Sequence, residues 1–415
     1  MTTTLSDEQQ ATNRFDWRLA AGLFLAAVLW IGPYIGAIGV VVPALAEKVA
    51  PDDKVSVVAT AALIGALLSL FSNIVFGALS DITRSRFGRR APWIVLGSVL
   101  SFVGMYFLSQ ASSAGALIFW WCFYILFLNA IIAPMVAVIS DRVPEKHRGT
   151  ISSLYGAGMV LGASLAQIIG SRYVGDPGAG LFLFAVISLV SGPLFVLLSP
   201  DRSNLDVVSQ KLSGKALLHN FSFPRRGARD FYFALSGKFL LQAGMYAITN
   251  YQLYILTDYI GLSSAKAAGI IATSATIQLV TSLICGFGSG PLSDRAGRRK
   301  PFVIGSALFV AAGLIVPFLF PTAWGMLVFA LLAGIGNGAY ASVDQALNIE
   351  VLPDKATAAK DLGILNMANS GGQMLGPLVT SVIVGVAGGY RPVFLVAFLI
   401  LIVSALLIKP IRGVR

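Results

Sequence analysis

The sequence is short of charged and reactive residues. Asp, Glu, Lys and Arg make up 12% of its 415 residues, whereas they make up roughly 25% of an ordinary soluble domain. Its two cysteines, Cys122 and Cys285, fall in long apolar stretches, so neither a disulfide framework nor a metal cluster is expected. Its two histidines, His147 and His219, fall in polar loops. We therefore expect no cofactor and no metal. We also expect no enzyme, because catalysis would require reactive side chains to lie close together.

Apolar residues are abundant instead. The chain is 56% hydrophobic and its mean hydropathy is +0.79. Segments of about 17 to 25 mainly apolar residues can cross a bilayer as helices. The twelve predicted spans are 19–46, 55–80, 93–110, 115–139, 151–172, 180–198, 230–258, 265–292, 301–320, 324–349, 364–387 and 390–409. The sequence thus predicts an all-α integral membrane protein with twelve transmembrane helices.

The basic residues are unevenly distributed between the predicted loops. With both termini on one side, the loops of that side carry 24 of the 30 Lys and Arg residues, and Lys238 lies within a span. Basic loops stay in the cytoplasm, so we expect a multi-pass protein of the plasma or inner membrane with both termini cytoplasmic. The polar stretch 1–18 lacks the features of a signal peptide and is interpreted as a cytoplasmic tail. The net charge of +11 is then a topology signal, and no nucleic-acid partner is expected.

One loop motif occurs twice. Gly77–Pro92 reads GALSDITRSRFGRRAP and Gly290–Pro301 reads GPLSDRAGRRKP, each after the second span of its half. The shared Gly-Arg-Arg and the proline that follows are offset by 209 positions, which indicates duplication of a six-helix unit. We predict six-helix bundles at 1–198 and 230–415, joined by a cytoplasmic linker at 199–229.

These residues resemble the signature between helices two and three of the major facilitator superfamily. The segment Asp141–Gly149 is similar to the superfamily's loop between helices four and five, and the TRSRFGRR run is most like the glycoside-pentoside-hexuronide and sucrose-type sugar symporters. The resemblance covers nearly the whole chain. It implies two pseudo-symmetric bundles that give alternating access to a central cavity. We expect a monomer in the lipid bilayer that binds a small-molecule substrate, a sugar or glycoside, and a coupling proton.

The repeated loop is predicted to form a cytoplasmic gate. A carboxylate at a helix end can pair with arginines and accept backbone N–H groups from a neighbouring helix start. The alternative is that these arginines only fix the topology. The predicted gate residues are Gly77, Asp81, Arg84, Gly88, Arg89, Arg90, Asp141, Arg148, Gly290, Asp294, Arg295, Gly297, Arg298 and Arg299.

Polar side chains within the spans mark the predicted substrate cavity, because polar groups are costly in a bilayer. The second half supplies Gln242, Tyr246, Asn250, Asn337, Tyr340, Asn366, Asn369 and Gln373. The first half supplies Trp30, Tyr34, Tyr124 and Asn129, whose aromatic faces and amide suit a sugar. The alternative is that these groups join helices to one another. Trp120 and Trp121 are interpreted as membrane-interface anchors.

Two charged residues lie deep in predicted spans. Lys238 and Asp344 are about eight and six residues from the inner ends of spans seven and ten, or roughly 12 and 9 Å deep. An unpaired charge there costs roughly 2.5 to 3.5 kcal/mol, so a pair, or a proton on Asp344, is expected. The functional hypothesis is that Asp344 carries the coupling proton and Lys238 tunes its pKa; the alternative is a structural ion pair. Glu47, Asp258 and Glu350, near span ends, are given no role.

The sequence departs from the sugar symporters in its acidic residues. Sodium-coupled melibiose-type members carry aspartates in helices two and four, but spans 55–80 and 115–139 contain no carboxylate, so sodium coupling is not expected. The sucrose-type proton symporters also use an acidic residue in helix four, whereas the deep acid here is Asp344 in span ten, so the coupling mechanism does not follow from the resemblance. We expect proton-coupled import of a sugar or glycoside. The alternative is a proton antiporter that exports a drug or another organic metabolite, which the lack of a Gly-Pro motif in span five disfavours.

Overall fold

The structure, a computed structural model, describes residues 15–201, 203–206, 223–224, 228–353 and 358–412, without the side chains of Glu145, Asp294, Gln345, Ala346 and 358–360. Within these ranges the regular structure is entirely helical. The helices are α1 Trp17–Val49, α2 Lys54–Ile82, α3 Ala91–Ser109, α4 Ala114–Arg142, α5 Glu145–Ser171, α6 Pro177–Leu198, α7 Arg229–Thr249, α8 Ser264–Ala296, α9 Lys300–Leu319, α10 Ala323–Glu350, α11 Ala358–Ala387 and α12 Arg391–Ile408.

Long apolar helices confirm a multi-pass membrane protein. Eleven of the described helices, all but α7, are long and apolar enough to cross a membrane. Large apolar side chains also point outward, with Val386 85%, Phe287 75% and Phe71 60% exposed. Such apolar surface is unfavourable in water and favourable against lipid tails.

The seventh span is not one continuous helix, and this part of the prediction was wrong. After α7 ends at Thr249, a short helix, Gln252–Tyr254, and a π-helical turn, Ile255–Tyr259, follow. At the break, the N–H of Tyr251 donates to the carbonyl of Ile248, three residues back rather than four. Asn residues favour turns over helix interiors because the side chain competes for backbone hydrogen bonds. The predicted polar face of α7 therefore ends at Tyr246, and Asn250 lies in the break.

The first span contains a similar distortion. α1 runs as Trp17–Gly36, passes through a π-helical turn at Ala37–Val41, and continues as Val42–Val49. Pro43, two residues after this turn, has no N–H to donate to a carbonyl of the preceding turn, and an inserted π turn accommodates the missing bond. The first helix of each half is thus distorted near the same end.

The helices pack in two groups of six. In the first, α1 contacts α5 and α6, α2 contacts α4, and α3 contacts α4 and α6; in the second, α7 contacts α11 and α12, α8 contacts α10, and α9 contacts α10 and α12. The main contacts between the groups are α2 with α11 and α5 with α8. The predicted domain boundaries stay a prediction, since residues 207–222 of the predicted linker lie outside the described residues.

Glycines allow the closest helix pairs. A Cβ atom at Gly376 of α11 would lie 2.6 Å from the carbonyl oxygen of Ala243 in α7, and one at Gly162 of α5 would lie 2.6 Å from that of Val28 in α1. Small residues at such positions let helix backbones approach in a membrane, where packing replaces the hydrophobic effect. Each first helix is held in this way by a flanking helix of its own half.

The helix ends define two faces. The basic face carries the loops 83–90, 143–144 and 297–299 together with the start of α1 and the end of α12. The opposite face carries the loops 50–53, 110–113, 172–176, 260–263, 320–322 and 388–390.

Candidate functional site

α7 and α10 bring Lys238 and Asp344 together. The Nζ of Lys238 lies 2.7 Å from the Oδ2 of Asp344, and their side chains are 3% and 10% exposed. One turn further along α10, the Nδ2 of Asn348 donates to the same oxygen at 3.1 Å. Each charge offsets the cost of burying the other. The structure contains the expected pair, while its role in coupling stays a prediction.

Tyr340 lies beside this pair. It is one turn from Asp344 on α10, its hydroxyl is buried, and it is close enough to interact electrostatically with the carboxylate. Lys238 from α7 and Tyr340 from the same helix are thus titratable side chains close to the Asp344 carboxylate.

Several predicted substrate-binding residues meet where the two halves face each other. The Nε2 of Gln242 in α7 donates to the Oδ1 of Asn369 in α11 at 3.0 Å. The hydroxyl of Tyr34 in α1 donates to the Oε1 of Gln373 in α11 at 3.1 Å, which joins the first half to the second. Tyr246 lies near the Tyr34 hydroxyl.

Trp121 supports this junction, and its interpretation as an interface anchor was wrong. Its indole is 1% exposed and stacks on Tyr34 with ring centroids 6.0 Å apart and planes at 16°. Tyr124, fully buried, packs against Trp121 at 5.5 Å. The side of the helix on which a tryptophan lies, rather than its nearness to a helix end, decided its environment.

Two other predicted substrate-binding residues are engaged within the first half. The Nε1 of Trp30 donates to the hydroxyl of Tyr155, which joins α1 to α5. Asn129 of α4, 2% exposed, donates to Ser69 at 3.1 Å and accepts from Asn73 at 3.2 Å, both on α2. These contacts are those of the helix-joining alternative, and a contact with substrate stays a prediction.

The remaining predicted polar residues differ in their exposure. Asn366 is exposed, Asn337 is half-buried, and Asn250 is buried in the break after α7. Within the part of the chain that the structure describes, no hydrogen bond connects these three side chains with those of Tyr34, Gln242, Asn369 or Gln373, so their role in binding the substrate also stays a prediction.

On the basic face, Arg90 is the centre of the first loop motif. Its side chain is 6% exposed and lies 2.6 Å from Asp81 at the end of α2 and 3.0 Å from Asp141 at the end of α4. Arg89 lies 2.7 Å from the other oxygen of Asp141. The motif therefore ties α2, α3 and α4 of one half together.

The second copy forms the equivalent pair. Arg299 lies 3.1 Å from Glu350, and these residues follow Arg90 and Asp141 by the same 209 positions that separate the loop motifs. Sequence reasoning missed Glu350, although the constant offset could have identified it. The predicted role of Asp294 rests on a side chain outside the described residues.

Glycines shape both loop motifs. Gly88 and Gly297 have φ angles of +82° and +58°, in the left-handed region that is costly for residues with a Cβ atom. Gly77 and Gly290 face α4 and α10, where a Cβ atom would lie 3.9 Å from Ala133 and Ser342 respectively.

The other predicted gate arginines are less constrained. Arg148 donates to the carbonyls of Val143 and Ser140, both at 3.1 Å, near the end of α4. Arg84, Arg295 and Arg298 are exposed. Their part in a gate stays a prediction.

The two halves are joined on the opposite face by contacts that sequence reasoning did not find. Lys54 lies 3.1 Å from Glu47 in its own half and 2.8 Å from Asp258 in the other. The hydroxyl of Tyr254 donates to the carbonyl of Pro43 at 2.6 Å. The charged residues near span ends were visible in the sequence, but no local pattern connects positions so far apart. This face is closed in the structure.

A cavity of about 460 Å³ lies between α7 and α11. Its lining is mainly apolar and includes Leu235, Phe239, Ile364 and Met367, but not Lys238 or Asp344. The cavity and the ion pair are therefore separate features of α7.

The sequence profile of the Major Facilitator Superfamily matches residues 19–287 and 234–413, which together cover most of the chain. The chain belongs to the Major Facilitator Superfamily and is a membrane transporter of that type.

Curated relatives are distant. The chain is 26% identical over 272 residues to the MFS transporter asaE of Aspergillus flavus, covering 63% of this chain and 57% of that protein. It is 26% identical over 274 residues to the cis,cis-muconate transport protein of Acinetobacter baylyi, covering 62% and 63%. It is 25% identical over 380 residues to the 3-(3-hydroxy-phenyl)propionate transporter of Escherichia coli, covering 89% and 88%. The matches to the first two therefore span less than two thirds of those proteins.

Solved structures share the fold. The nucleoside transporter NupG superposes with a TM-score of 0.76 at 14% identity, over 95% of this chain and 99% of that chain. At this identity the likeness establishes the fold alone.

Proposed function

We propose that this transporter couples the movement of a small polar organic solute to protons by alternating access. The observation that carries the proposal is the buried Lys238–Asp344 pair, 2.7 Å apart, on two helices of the second half. A proton on Asp344 removes its negative charge and leaves Lys238 without its partner. Because an uncompensated charge at this depth is unfavourable, protonation favours a rearrangement of α7 relative to α10.

That rearrangement has a route to the substrate. The polar stripe of α7 continues from Lys238 through Gln242 to Tyr246, and Gln242 is hydrogen-bonded to Asn369 of α11. α11 in turn meets the first half through Gln373 and Tyr34. In the proposed cycle, the two halves rock around this junction, and the closed opposite face opens when the basic face closes.

The orientation and the substrate are part of the proposal. We propose that the basic face is cytoplasmic, because basic loops are retained there, and that the protein lies in a plasma or inner membrane. A sugar or glycoside is one candidate substrate, supported by the stacked Tyr34 and Trp121 rings next to amide groups. Proteins similar to this chain carry the names of sugar, organic-acid and multidrug transporters, so organic acids and export of a drug or metabolite are the alternatives.

Transport into proteoliposomes tests the coupling. Uptake of labelled glucose and of labelled 3-(3-hydroxyphenyl)propionate would be measured with and without an imposed proton gradient. We expect a gradient to drive accumulation of one probe by the wild-type protein. Asp344→Asn should lose this accumulation but keep exchange of the probe across the membrane. The matched control is Asp52→Asn, which changes an exposed loop aspartate and should behave as the wild type.

The same assay separates import from export. A proton gradient directed into the vesicles drives the substrate of a symporter inward and the substrate of an antiporter outward. Reversing the gradient reverses both directions. Gradient-driven accumulation that persists in Asp344→Asn would refute coupling through this carboxylate.

A further inference from the structure

The Lys238–Asp344 pair constrains the charge of the substrate. It is the least exposed ion pair among the described side chains, at 3% and 10%, and as it stands it is electrically neutral. Neutral pairs are tolerated at membrane depth, whereas a net charge there is strongly unfavourable. Whatever binds must therefore leave the site close to neutral.

Neither a proton nor an anion alone meets this condition. A proton on Asp344 converts the pair into a net cation. An organic anion beside the intact pair creates a net anion and is repelled by the Asp344 carboxylate. If both bind, the anion compensates Lys238 and the proton neutralises Asp344, so the site again carries no net charge.

We propose that the substrate is an organic monocarboxylate, whose carboxylate replaces Asp344 as the partner of Lys238 when Asp344 takes up the proton. The proposal rests on the proposed proton coupling at Asp344 and adds the chemical class of the substrate. A neutral sugar offers no compensation for Lys238, so its binding gives no reason for a proton to enter the site. A carboxylate makes the two binding events depend on each other.

The surroundings of the pair fit this exchange of partners. Asn348 donates to Asp344 in the present state, and its amide oxygen can accept from a protonated carboxyl group, so it can hold Asp344 in either form. Gln242 lies one turn from Lys238 and offers the substrate a further donor and acceptor once it leaves Asn369. Tyr340 supplies a buried hydroxyl beside Asp344.

The exchange has an electrical consequence. A monocarboxylate and one proton move together without net charge, and the empty carrier returns with its neutral ion pair. Transport is then electroneutral, and a membrane potential neither drives nor opposes it. Symport of a neutral sugar with a proton would instead carry one positive charge per cycle.

Binding to the purified full-length protein tests the proposal directly. The probes are benzoate, 3-phenylpropionate and 3-(3-hydroxyphenyl)propionate, each with its carboxamide as a neutral control, and glucose. Thermal stabilisation reports binding. We expect at least one carboxylate to stabilise the protein more than its carboxamide, more strongly at lower pH, and with uptake of one proton per anion from weakly buffered solution.

Variants identify the residues responsible. Lys238→Gln should bind the carboxylate at least roughly 30-fold more weakly, the lower limit for removing one partner of a buried charge pair. Asp344→Asn imitates the protonated carboxyl group and should keep carboxylate binding while losing its pH dependence and the proton uptake. Lys266→Gln, at an exposed lysine, is the matched control and should bind as the wild type does.

A double variant guards against misfolding. Lys238→Gln combined with Asp344→Asn removes both charges, so no uncompensated charge remains, and it should fold yet fail to bind the carboxylate. The proposal is overturned if no carboxylate outperforms its carboxamide, or if Lys238→Gln or the double variant binds as tightly as the wild type.

Failure of this inference differs from failure of the proposed function. Proton-driven accumulation of glucose that is lost in Asp344→Asn would support coupling and overturn the carboxylate. Carboxylate binding that requires Lys238, together with proton-driven accumulation that survives in Asp344→Asn, would support the carboxylate and refute the coupling residue.

Discussion

Lys54 lies 2.8 Å from Asp258, and this ion pair joins the first half of the chain to the second on the opposite face. The hydrogen bond from Tyr254 to Pro43 crosses the same junction. Both contacts must break before the opposite face can open, so they stabilise the closed state relative to the open one.

We expect Asp258→Asn to shift the carrier toward the state that is open on the opposite face. The side chains of the pair are 15% and 34% exposed, so the pair is worth about 0.5 to 1 kcal/mol, or a two- to fivefold change in population. The measurement is the rate at which a membrane-impermeant thiol reagent, added on that face, modifies a cysteine introduced at Gln373 after Cys122 and Cys285 have been replaced. Lys48→Gln, at an exposed lysine of the same face, is the control; equal rates in both variants would contradict the role of the pair.

The two copies of the loop motif should differ in their contribution to stability. Arg90 is 6% exposed and Arg299 is 27% exposed. A hydrogen bond between charged groups stabilises the protein more where water is excluded, which is the case at Arg90. We expect Asp141→Asn to lower the apparent unfolding free energy by roughly 1.5 to 3 kcal/mol and Glu350→Gln by less than about 1 kcal/mol. Thermal unfolding in detergent compares them, and a larger loss for Glu350→Gln would show that burial does not decide the ranking.

The packing of α11 on α7 depends on Gly376. A Cβ atom there would meet the Ala243 carbonyl oxygen and the Ala247 nitrogen at 2.6 Å each, so Gly376→Ala should separate the helices and destabilise the protein by roughly 1 to 3 kcal/mol. Gly385→Ala, in the same helix with no atom within 4 Å of the added Cβ, should be neutral or slightly stabilising because alanine favours helix. Indistinguishable melting temperatures for the two variants would argue against close packing at Gly376.

Most of the fold was predictable because the bilayer imposes it locally. Apolar spans of sufficient length mark the helices, and the 209-residue offset marks the duplication. Polar residues at four-residue steps identified one face of α7 but did not show where the helix ends. Asn250 continues this spacing, although the helix ends at Thr249. The Lys54–Asp258 contact could not be predicted, since it depends on how the two halves meet.

The candidate site was predictable only where the residue type is rare in a membrane. Lys238 and Asp344 stood out because charged residues are rare deep within a span. Their counterparts 209 positions earlier, Leu29 and Met135, carry no charge. For Asn129 the sequence could not distinguish substrate binding from helix packing, because an amide within a span can form hydrogen bonds with a substrate or with a neighbouring helix.

Asn129→Ala separates these two roles. The side chain is 2% exposed and bonds to Ser69 and Asn73 of α2, so its removal should lower stability by roughly 1 to 3 kcal/mol, the net value of two hydrogen bonds. We expect the KM of transport to stay within about twofold of the wild type, since these bonds join helices. A several-fold rise in KM at unchanged melting temperature would instead place Asn129 in contact with the substrate.

Tyr34→Phe is expected to show the reverse behaviour. The substitution keeps the ring that stacks on Trp121 at 6.0 Å and removes the hydroxyl that donates to Gln373. Because this hydrogen bond lies between the halves and must be exchanged in each cycle, its loss should change substrate affinity by about 1 kcal/mol, or roughly fivefold, with little change in melting temperature. Tyr155→Phe is the matched control, since its hydroxyl accepts from Trp30 within the first half and its loss should alter stability rather than affinity. Equal affinities for Tyr34→Phe and the wild type would remove Tyr34 from the substrate site and leave it as a packing residue of α1.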